Sequence, residues 1–237
     1  MNENNLAWIT EAAENGTAEC AFLLGFLHEH GFCLPQSYED AAKYYKQAAS
    51  KGMAAAQYAL ATLYEVGNGL EKSTLQMHRY ALLAAKQGLP AAQLMVGHLS
   101  MRGIGIAPDG VAARRWLEAA AKNGSSEAKS MLAMAWDEGI FGNQDKKTAY
   151  QYYKELADDG DPNAVFMLGS MLEHGEGCEK DEQQALQLFH KAADLGVDSA
   201  ALSLAMIYEK GMLGVAPDKK KSDYYFELSK KLQIQNK

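Results

Sequence analysis

Apolar residues recur along the chain at helical spacing, in two kinds of segment that alternate. In the first kind they fall at i, i+4, i+7 and i+8, as in Ala56, Leu60, Leu63 and Tyr64. In the second kind they fall at i, i+3, i+4, i+7 and i+8, as in Ala149, Tyr152, Tyr153, Leu156 and Ala157. Both spacings gather the apolar side chains into one stripe of a helix. The pattern therefore predicts pairs of amphipathic helices.

Glycine divides these segments at a constant step of 36 residues. One set is Gly16, Gly52, Gly88, Gly124, Gly160 and Gly196; the other is Gly31, Gly67, Gly103, Gly139, Gly175 and Gly211. A glycine just past a helix takes up the left-handed conformation that ends it. A repeat of about 20 to 50 residues is typical of a solenoid. The second set thus predicts the ends of the first helices, and the first set those of the second helices.

The remaining local signals agree with this division. A residue that can cap a helix precedes each second helix: Ser37, Ser73, Asp109, Asp145, Asp181 and Asp218. Pro90 and Pro162 follow a glycine by two residues, at predicted starts of first helices. The residue after the central leucine or its equivalent is small in every copy (Gly25, Ala61, Gly97, Ala133, Gly169 and Ala205), which predicts close approach of a partner helix.

The predicted architecture is all-α, with about 13 helices in a single repeat domain over residues 1–237. Its parts are a capping helix at 2–15, repeats at 18–53, 54–89, 90–125, 126–161, 162–197 and 198–232, and a tail at 233–237. The last helix carries Ser229, Lys230 and Lys231 where other second helices are rich in alanine. This difference predicts a solvent-facing end of the array.

Composition narrows the possible environments and partners. A hydrophobic content of 48% against 22% charged residues excludes a disordered chain. No apolar run approaches the roughly 18 residues of a membrane span, so membrane insertion is not expected. The net charge of −7 argues against nucleic-acid binding. The three cysteines do not recur at one repeat position, which favours a reduced, cytoplasmic setting. A processed secreted form stays open.

The repeat unit resembles the Sel1-like repeat, a relative of the tetratricopeptide repeat with a longer loop between its helices. The resemblance rests on Ala56-Gln57-Tyr58-x-Leu60-x-x-x-Tyr64-x-x-Gly67-x-Gly69 and on Ala149-x-x-Tyr152-Tyr153-Lys154 with its Gly160, and similar strings cover about residues 2–232. It implies a right-handed α/α superhelical solenoid and a non-enzymatic adaptor or scaffold, with relatives in bacterial signalling, host–pathogen contact and eukaryotic quality control. His28 and Ser100 replace the tyrosine of the first helix, and Phe141 replaces the loop glycine.

By similarity to tetratricopeptide arrays, the first helices line the concave face. The residue two before each glycine of the second set is acidic in five of six copies: Glu29, Glu65, Met101, Asp137, Glu173 and Glu209. Further candidates for this face are Phe22, Phe26, Tyr58, His98, Met134 and Phe166. An acidic trough with aromatic anchors predicts a basic peptide or protein as partner. The competing interpretations are solvated helix ends for the acids, and core packing for Phe22, Tyr58 and Phe166.

Apparent catalytic and metal motifs are weak. Ser126 and Lys129 match the S-x-x-K spacing, but the companion motifs of that enzyme class are absent. His28 and His30 point to different sides of a helix and cannot chelate together with Cys33. We therefore expect no catalytic, metal or cofactor site, and a monomer that binds another protein as an adaptor. The alternatives are an immunity- or inhibitor-type protein and, in another class, a hydrolase acting on cell-wall components.

Overall fold

The computed structural model describes residues 3–235. Asn2 of the predicted capping helix, and Asn236 and Lys237 of the predicted tail, lie outside the described residues. The described part of the chain contains thirteen α-helices and no strand, so the all-α fold of helical repeats is confirmed. The helices are α1 Glu3–Glu14, α2 Ala18–His30, α3 Tyr38–Ser50, α4 Ala54–Val66, α5 Thr74–Lys86, α6 Pro90–Arg102, α7 Gly110–Lys122, α8 Ser126–Glu138, α9 Lys146–Asp158, α10 Pro162–His174, α11 Glu182–Asp194, α12 Asp198–Lys210 and α13 Lys219–Gln235.

The helices form two compact units, which divide within the first turn of α8, between Ala128 and Lys129. In the first unit the helices pack in chain order, from α1 against α2 to α6 against α7. Its core is built from alanine together with larger side chains such as Leu24, Tyr45, Leu60 and Val96. Since alanine lets helix axes approach closely, the larger residues can fill the spaces between neighbouring helices.

The second unit follows the same sequential order of packing from α9 to α13. Its core contains Tyr153, Leu168, Phe189 and Leu204, again with alanines between them. Ser229, at an alanine position of the last helix, is only 3% exposed, whereas Lys230 and Lys231 are exposed. The prediction of a solvent-facing end is therefore wrong for Ser229, because α13 buries that face against α12.

The helix ends lie where the sequence signals predict them. All six predicted caps accept a hydrogen bond from the backbone N–H three residues later, as Ser37 does from Asp40 at 3.1 Å and Asp145 from Thr148 at 3.0 Å. Pro90 and Pro162 begin α6 and α10. Every glycine of the two ladders has a positive φ, from 69° to 91°.

A further loop position, 36 residues apart in the copies, also requires left-handed backbone. Gly69 has φ 64°, and a Cβ there would lie 2.2 Å from the carbonyl oxygen of Tyr38, at the start of the preceding second helix. Gly105 and Gly177 meet the preceding second helix in the same way. The corresponding residue of the first repeat is Cys33, which is exposed and holds φ 62°. In the fourth repeat, where Phe141 occupies this position, the positive φ moves to Gly142.

The small residues of the first helices allow close approach, as predicted. A Cβ on Gly25 would lie 2.5 Å from Cδ1 of Tyr45, and one on Gly97 would lie 2.7 Å from Cγ of Leu117. At Gly169 the approach is looser, with 3.2 Å to Cδ1 of Phe189. The first helix of each of these repeats therefore packs with its backbone against a large residue of the second helix.

Within each of three repeats, a polar side chain near the start of the first helix pairs with a residue just past or near the end of the second helix, at corresponding positions. Gln87 donates from Nε2 to Oε1 of Gln57 at 2.8 Å, and Asn123 donates from Nδ2 to Oε1 of Gln93 at 3.0 Å. In the second unit the same positions hold an ion pair, in which Lys129 Nζ lies 3.8 Å from Asp159 Oδ2. One structural position thus holds two amide pairs and one ion pair.

Candidate partner-binding site

The twelve candidate residues occupy three positions of the first helices, which follow each other by four and three residues and so share one helix face. Site position 1 holds Phe22, Tyr58, Leu94, Ser130, Phe166 and Leu202. Site position 2 holds Phe26, Thr62, His98, Met134, Ser170 and Met206. Site position 3 holds Glu29, Glu65, Met101, Asp137, Glu173 and Glu209.

The aromatic residues of site position 1 are half-buried. The ring centroid of Phe22 lies 5.5 Å from that of Tyr45, and the corresponding distance from Phe166 to Phe189 is 5.7 Å. Tyr58 packs against the core between α4 and α6, and burial, followed by the carboxylates of Glu65 and Glu127, raises its pKa. Each ring therefore contributes to the core with one side and leaves the other accessible.

Site position 2 combines exposed and half-buried side chains. Phe26 is 38% exposed and forms an aromatic cluster with His30, at 4.2 Å between ring centroids, and with Phe32, at 6.1 Å. Met206 is 43% exposed, whereas His98 and Met134 are half-buried. This position places apolar surface in contact with solvent in the first, fourth and sixth repeats.

The acids of site position 3 differ in their surroundings. In the first unit, Glu29 accepts a hydrogen bond from the hydroxyl of Tyr45 at 2.6 Å, and Glu65 is exposed. Burial and this hydrogen bond together raise the pKa of Tyr45 strongly, so its hydroxyl stays protonated. Met101, the one apolar member, is half-buried.

In the second unit, Asp137 is neutralised by a lysine. Lys146 Nζ lies 2.7 Å from Asp137 Oδ1 and 2.9 Å from Glu176 Oε2, and these two carboxylates raise the pKa of Lys146. The side chain of Glu173 is 17% exposed, whereas Glu209 is exposed. The row of acids is therefore not a uniform line of free carboxylates, because Glu65 and Glu209 are more open to solvent than the others.

Two clefts in the second unit are lined by the same three site positions. The first, of about 400 Å³, is lined by Ser130, Met134 and Asp137 of α8, with Tyr153 of α9 and with Asn163 and Met167 of α10. The second, of about 390 Å³, is lined by Leu202, Met206 and Glu209 of α12, with Phe226 of α13. Tyr153 and Phe226 correspond to each other once the extra loop residue of the last repeat is counted. The first helix and its partner thus build the same kind of cleft twice.

Several residues of these clefts are absent from the sequence-based candidates. Leu202 and Met206 lie one repeat after Phe166 and Ser170, so the 36-residue step alone would have identified them. Met167 and Asn163 come from the first helix of the following repeat, and no single-repeat pattern indicates them. Lys146 could have been noticed in the sequence, because it lies in the first turn of a helix, where the helix dipole disfavours a cation. A cation at such a position indicates that carboxylates lie nearby.

The apparent catalytic motifs have other roles. Lys129 pairs with Glu155 at 3.0 Å and with Asp159 at 3.8 Å, and hydrogen bonding to Glu155 raises its pKa, which makes it a poor general base. In the described part of the chain, no histidine ring nitrogen hydrogen-bonds to a serine, threonine or cysteine side chain. Within residues 3–235 no three His, Cys, Asp or Glu side chains gather as metal ligands, and no helix is long and apolar enough to cross a membrane.

Comparison with known proteins identifies the repeat. The model of the Sel1 repeat matches residues 18–53, 54–89, 90–125, 126–161, 162–197 and 198–233. A solved Sel1 repeat protein from Oxalobacter formigenes is 28% identical, with a TM-score of 0.85 over 97% of this chain and 93% of that one. The c5321 protein, described as a protective antigen of uropathogenic Escherichia coli with an SLR fold, is 30% identical with the same TM-score. That match covers 97% of this chain and 49% of c5321. No curated protein sequence matches significantly.

Proposed function

Because the chain belongs to the Sel1 repeat family, whose members are protein-interaction modules, we propose that it is a non-enzymatic adaptor that binds a protein or peptide through the three site positions of its first helices. The observation that carries the proposal is the recurrence of one cleft in the fourth and sixth repeats. Both clefts combine site positions 1 to 3 with a large side chain of the second helix. A surface that keeps accessible apolar side chains at the same positions is suited to an extended partner.

The electrostatics of the surface support a partner with basic residues. Site position 3 has no cation in any of the six copies, and its acids Glu65 and Glu209 are exposed. The net charge of −7 adds a long-range attraction toward a cationic partner. Charge complementarity of this kind chiefly raises the association rate and excludes acidic partners, while the apolar side chains of site positions 1 and 2 supply affinity.

The test is affinity purification from extracts of the native cell, followed by mass spectrometry, with the tagged wild-type chain and a charge-reversed variant. Glu65→Lys with Glu209→Lys changes two exposed acids of site position 3 and leaves the buried contacts of Glu29 and Asp137 intact. We expect recovery of a specific partner to fall about tenfold, since like charges would then face each other.

A matched control reverses two exposed acids elsewhere. Glu14→Lys with Asp158→Lys alters the net charge by the same amount, at the ends of α1 and α9. Equal loss of partner in both variants would indicate a nonspecific charge effect and would refute the proposed site. A partner whose own activity is suppressed by the bound chain would assign the inhibitor role, and turnover of a cell-wall substrate by the chain itself would refute the non-enzymatic proposal.

A further inference from the structure

The hydroxyl of Tyr153 lacks the hydrogen bond that its counterpart in the first repeat makes. Tyr45 and Tyr153 occupy corresponding positions of α3 and α9, and they are 1% and 7% exposed. Tyr45 donates to Glu29 at 2.6 Å. The hydroxyl of Tyr153 has no hydrogen-bond partner among the side chains and backbone groups of residues 3–235, and Tyr153 lines the cleft of the fourth repeat. The ring of Tyr153 is thus almost entirely buried while its hydroxyl opens into the cleft, where solvent or a bound group can hydrogen-bond to it.

The difference between the two tyrosines follows from site position 3. Asp137 stands where the first repeat has Glu29, and its side chain is one methylene shorter. Lys146 holds the carboxylate of Asp137 at 2.7 Å, and Glu176 holds the other side of Lys146 at 2.9 Å. The acid that would have accepted from Tyr153 is therefore engaged elsewhere, and the hydroxyl stays open to the cleft.

The lining of this cleft is apolar in part and otherwise acidic. Met134 and Met167 lie on its two first helices and provide flexible, polarisable surface. Glu138 is exposed, and Asp137 and Asp161 also contribute to the lining. The lining that residues 3–235 form contains no cation, and Lys146, which contacts Asp137, is already held by two carboxylates. An occupant must therefore carry an apolar stem and a positively charged end that can donate hydrogen bonds.

We propose that the cleft lined by Met134, Tyr153 and Met167 receives an arginine side chain of the partner, an assignment that rests on the protein-binding function proposed above. The aliphatic stem packs between the two thioethers, and the guanidinium donates to the oxygen of Tyr153 and to the carboxylate of Glu138. Arginine suits this environment better than lysine because its planar group offers five donors and is less strongly hydrated.

Methyl NMR with a small probe tests the proposal without the partner. The chain is labelled at the methyl groups of its eleven methionines, and Met134→Leu and Met167→Leu identify the two signals of interest. Titration with N-acetyl-arginine-N-methylamide should shift these two signals saturably. The citrulline analogue, which has the same shape without the charge, should bind about tenfold more weakly, as expected for loss of a charge-assisted hydrogen bond.

Two conservative substitutions provide the structural controls. Tyr153→Phe and Glu138→Gln should each weaken binding of the arginine amide, while the corresponding Tyr45→Phe should leave it unchanged; the dispersion of the methyl signals reports that each variant is folded. The assignment is overturned if the arginine amide causes no saturable shift of Met134 and Met167, if citrulline or lysine amides bind equally well, or if neither variant matters. If the arginine amide does not bind, the arginine assignment is refuted, whereas the proposed protein-binding function is tested separately by the purification experiment.

Discussion

Tyr45 and Glu29 join the two helices of the first repeat through a single hydrogen bond of 2.6 Å between the phenol and the carboxylate. Hydrogen bonds to charged groups contribute about 1.5–3 kcal/mol when they are buried. Tyr45→Phe should therefore lower the free energy of unfolding in urea by about 2 kcal/mol. Tyr153→Phe is the matched control and should change it by less than about 0.5 kcal/mol, since that hydroxyl has no partner to lose. Equal losses would show that the Glu29 bond is not the cause.

The contact between Gly25 and the ring of Tyr45 predicts that one added methyl group is harmful. A Cβ at Gly25 would lie 2.5 Å from the ring. Overpacking of this kind lowers stability by about 1–3 kcal/mol, whereas the higher helix propensity of alanine raises it by about 1 kcal/mol. Gly25→Ala should thus reduce stability in thermal and urea unfolding. Gly169→Ala, where the distance is 3.2 Å, should be close to neutral. A stabilised Gly25→Ala variant would contradict the packing described.

The loop position shared by Cys33 and Gly69 predicts opposite effects of two substitutions. Left-handed backbone costs a residue with a side chain about 1–2 kcal/mol, and Cys33→Gly removes this cost. Because glycine also gives the unfolded chain more conformational entropy, the net gain in the free energy of unfolding should be about 0.5 kcal/mol. Gly69→Ala should lose about 2 kcal/mol or more, because its Cβ would also meet the carbonyl group of Tyr38. Urea unfolding of both variants measures the difference, and a change of the same sign in the two would be inconsistent with it.

These residues also show what sequence reasoning could reach. The glycine ladders, the six caps and the small residues such as Gly25 were predictable because each is a local requirement of the backbone. Lys146 with Asp137, and Met167 across the cleft from Met134, were not found, since such pairs depend on side chains from different helices. Ser229 was misjudged because composition alone does not give the facing of a helix. The positions of the candidate site were accessible from the 36-residue step, whereas the missing bond of Tyr153 required the structure.

The environment of His190 predicts a pH dependence of stability. Its Nε2 lies 3.1 Å from the hydroxyl of Tyr208, and its Nδ1 lies 2.9 Å from the hydroxyl of Tyr225. Burial lowers the pKa of His190 below 6.5; the charge of Asp194 opposes this shift and that of Lys221 adds to it. Since the unfolded chain binds the proton more readily, the stabilisation is complete above about pH 6.5 and is lost as the pH falls through the folded pKa.

Replacing His190 should reduce this dependence, and the part that persists is expected from His78, whose pKa burial also lowers. Urea unfolding of the wild-type chain between pH 5 and pH 8 should show stability that decreases toward acid, and His190→Gln should flatten that part of the curve. His174→Gln, at an exposed helix end, controls for the loss of an imidazole. A slope that is unchanged in His190→Gln would assign the acid sensitivity to other groups.

The polar pairs that join the two helices of one repeat predict energetic coupling. Gln93 is 7% exposed, so Gln93→Lys alone would bury an ammonium group beside Asn123 and should destabilise the chain by about 3 kcal/mol. Adding Asn123→Asp recreates the pair that Lys129 and Asp159 form one repeat later, and should recover about 1 kcal/mol or more. A double-mutant cycle in urea measures this coupling, and additive effects would mean that the two positions do not interact.

The differences among these pairs affect how a chain of similar repeats avoids pairing the wrong helices while it folds. A first helix that paired with the second helix of another repeat while folding would still find small residues of the right size, so its apolar contacts would not oppose the error. It would, however, set an amide against a carboxylate, or leave the ammonium of Lys129 without Asp159. Differences in hydrogen-bonding chemistry at one repeated position can therefore favour pairing of each first helix with the second helix of its own repeat.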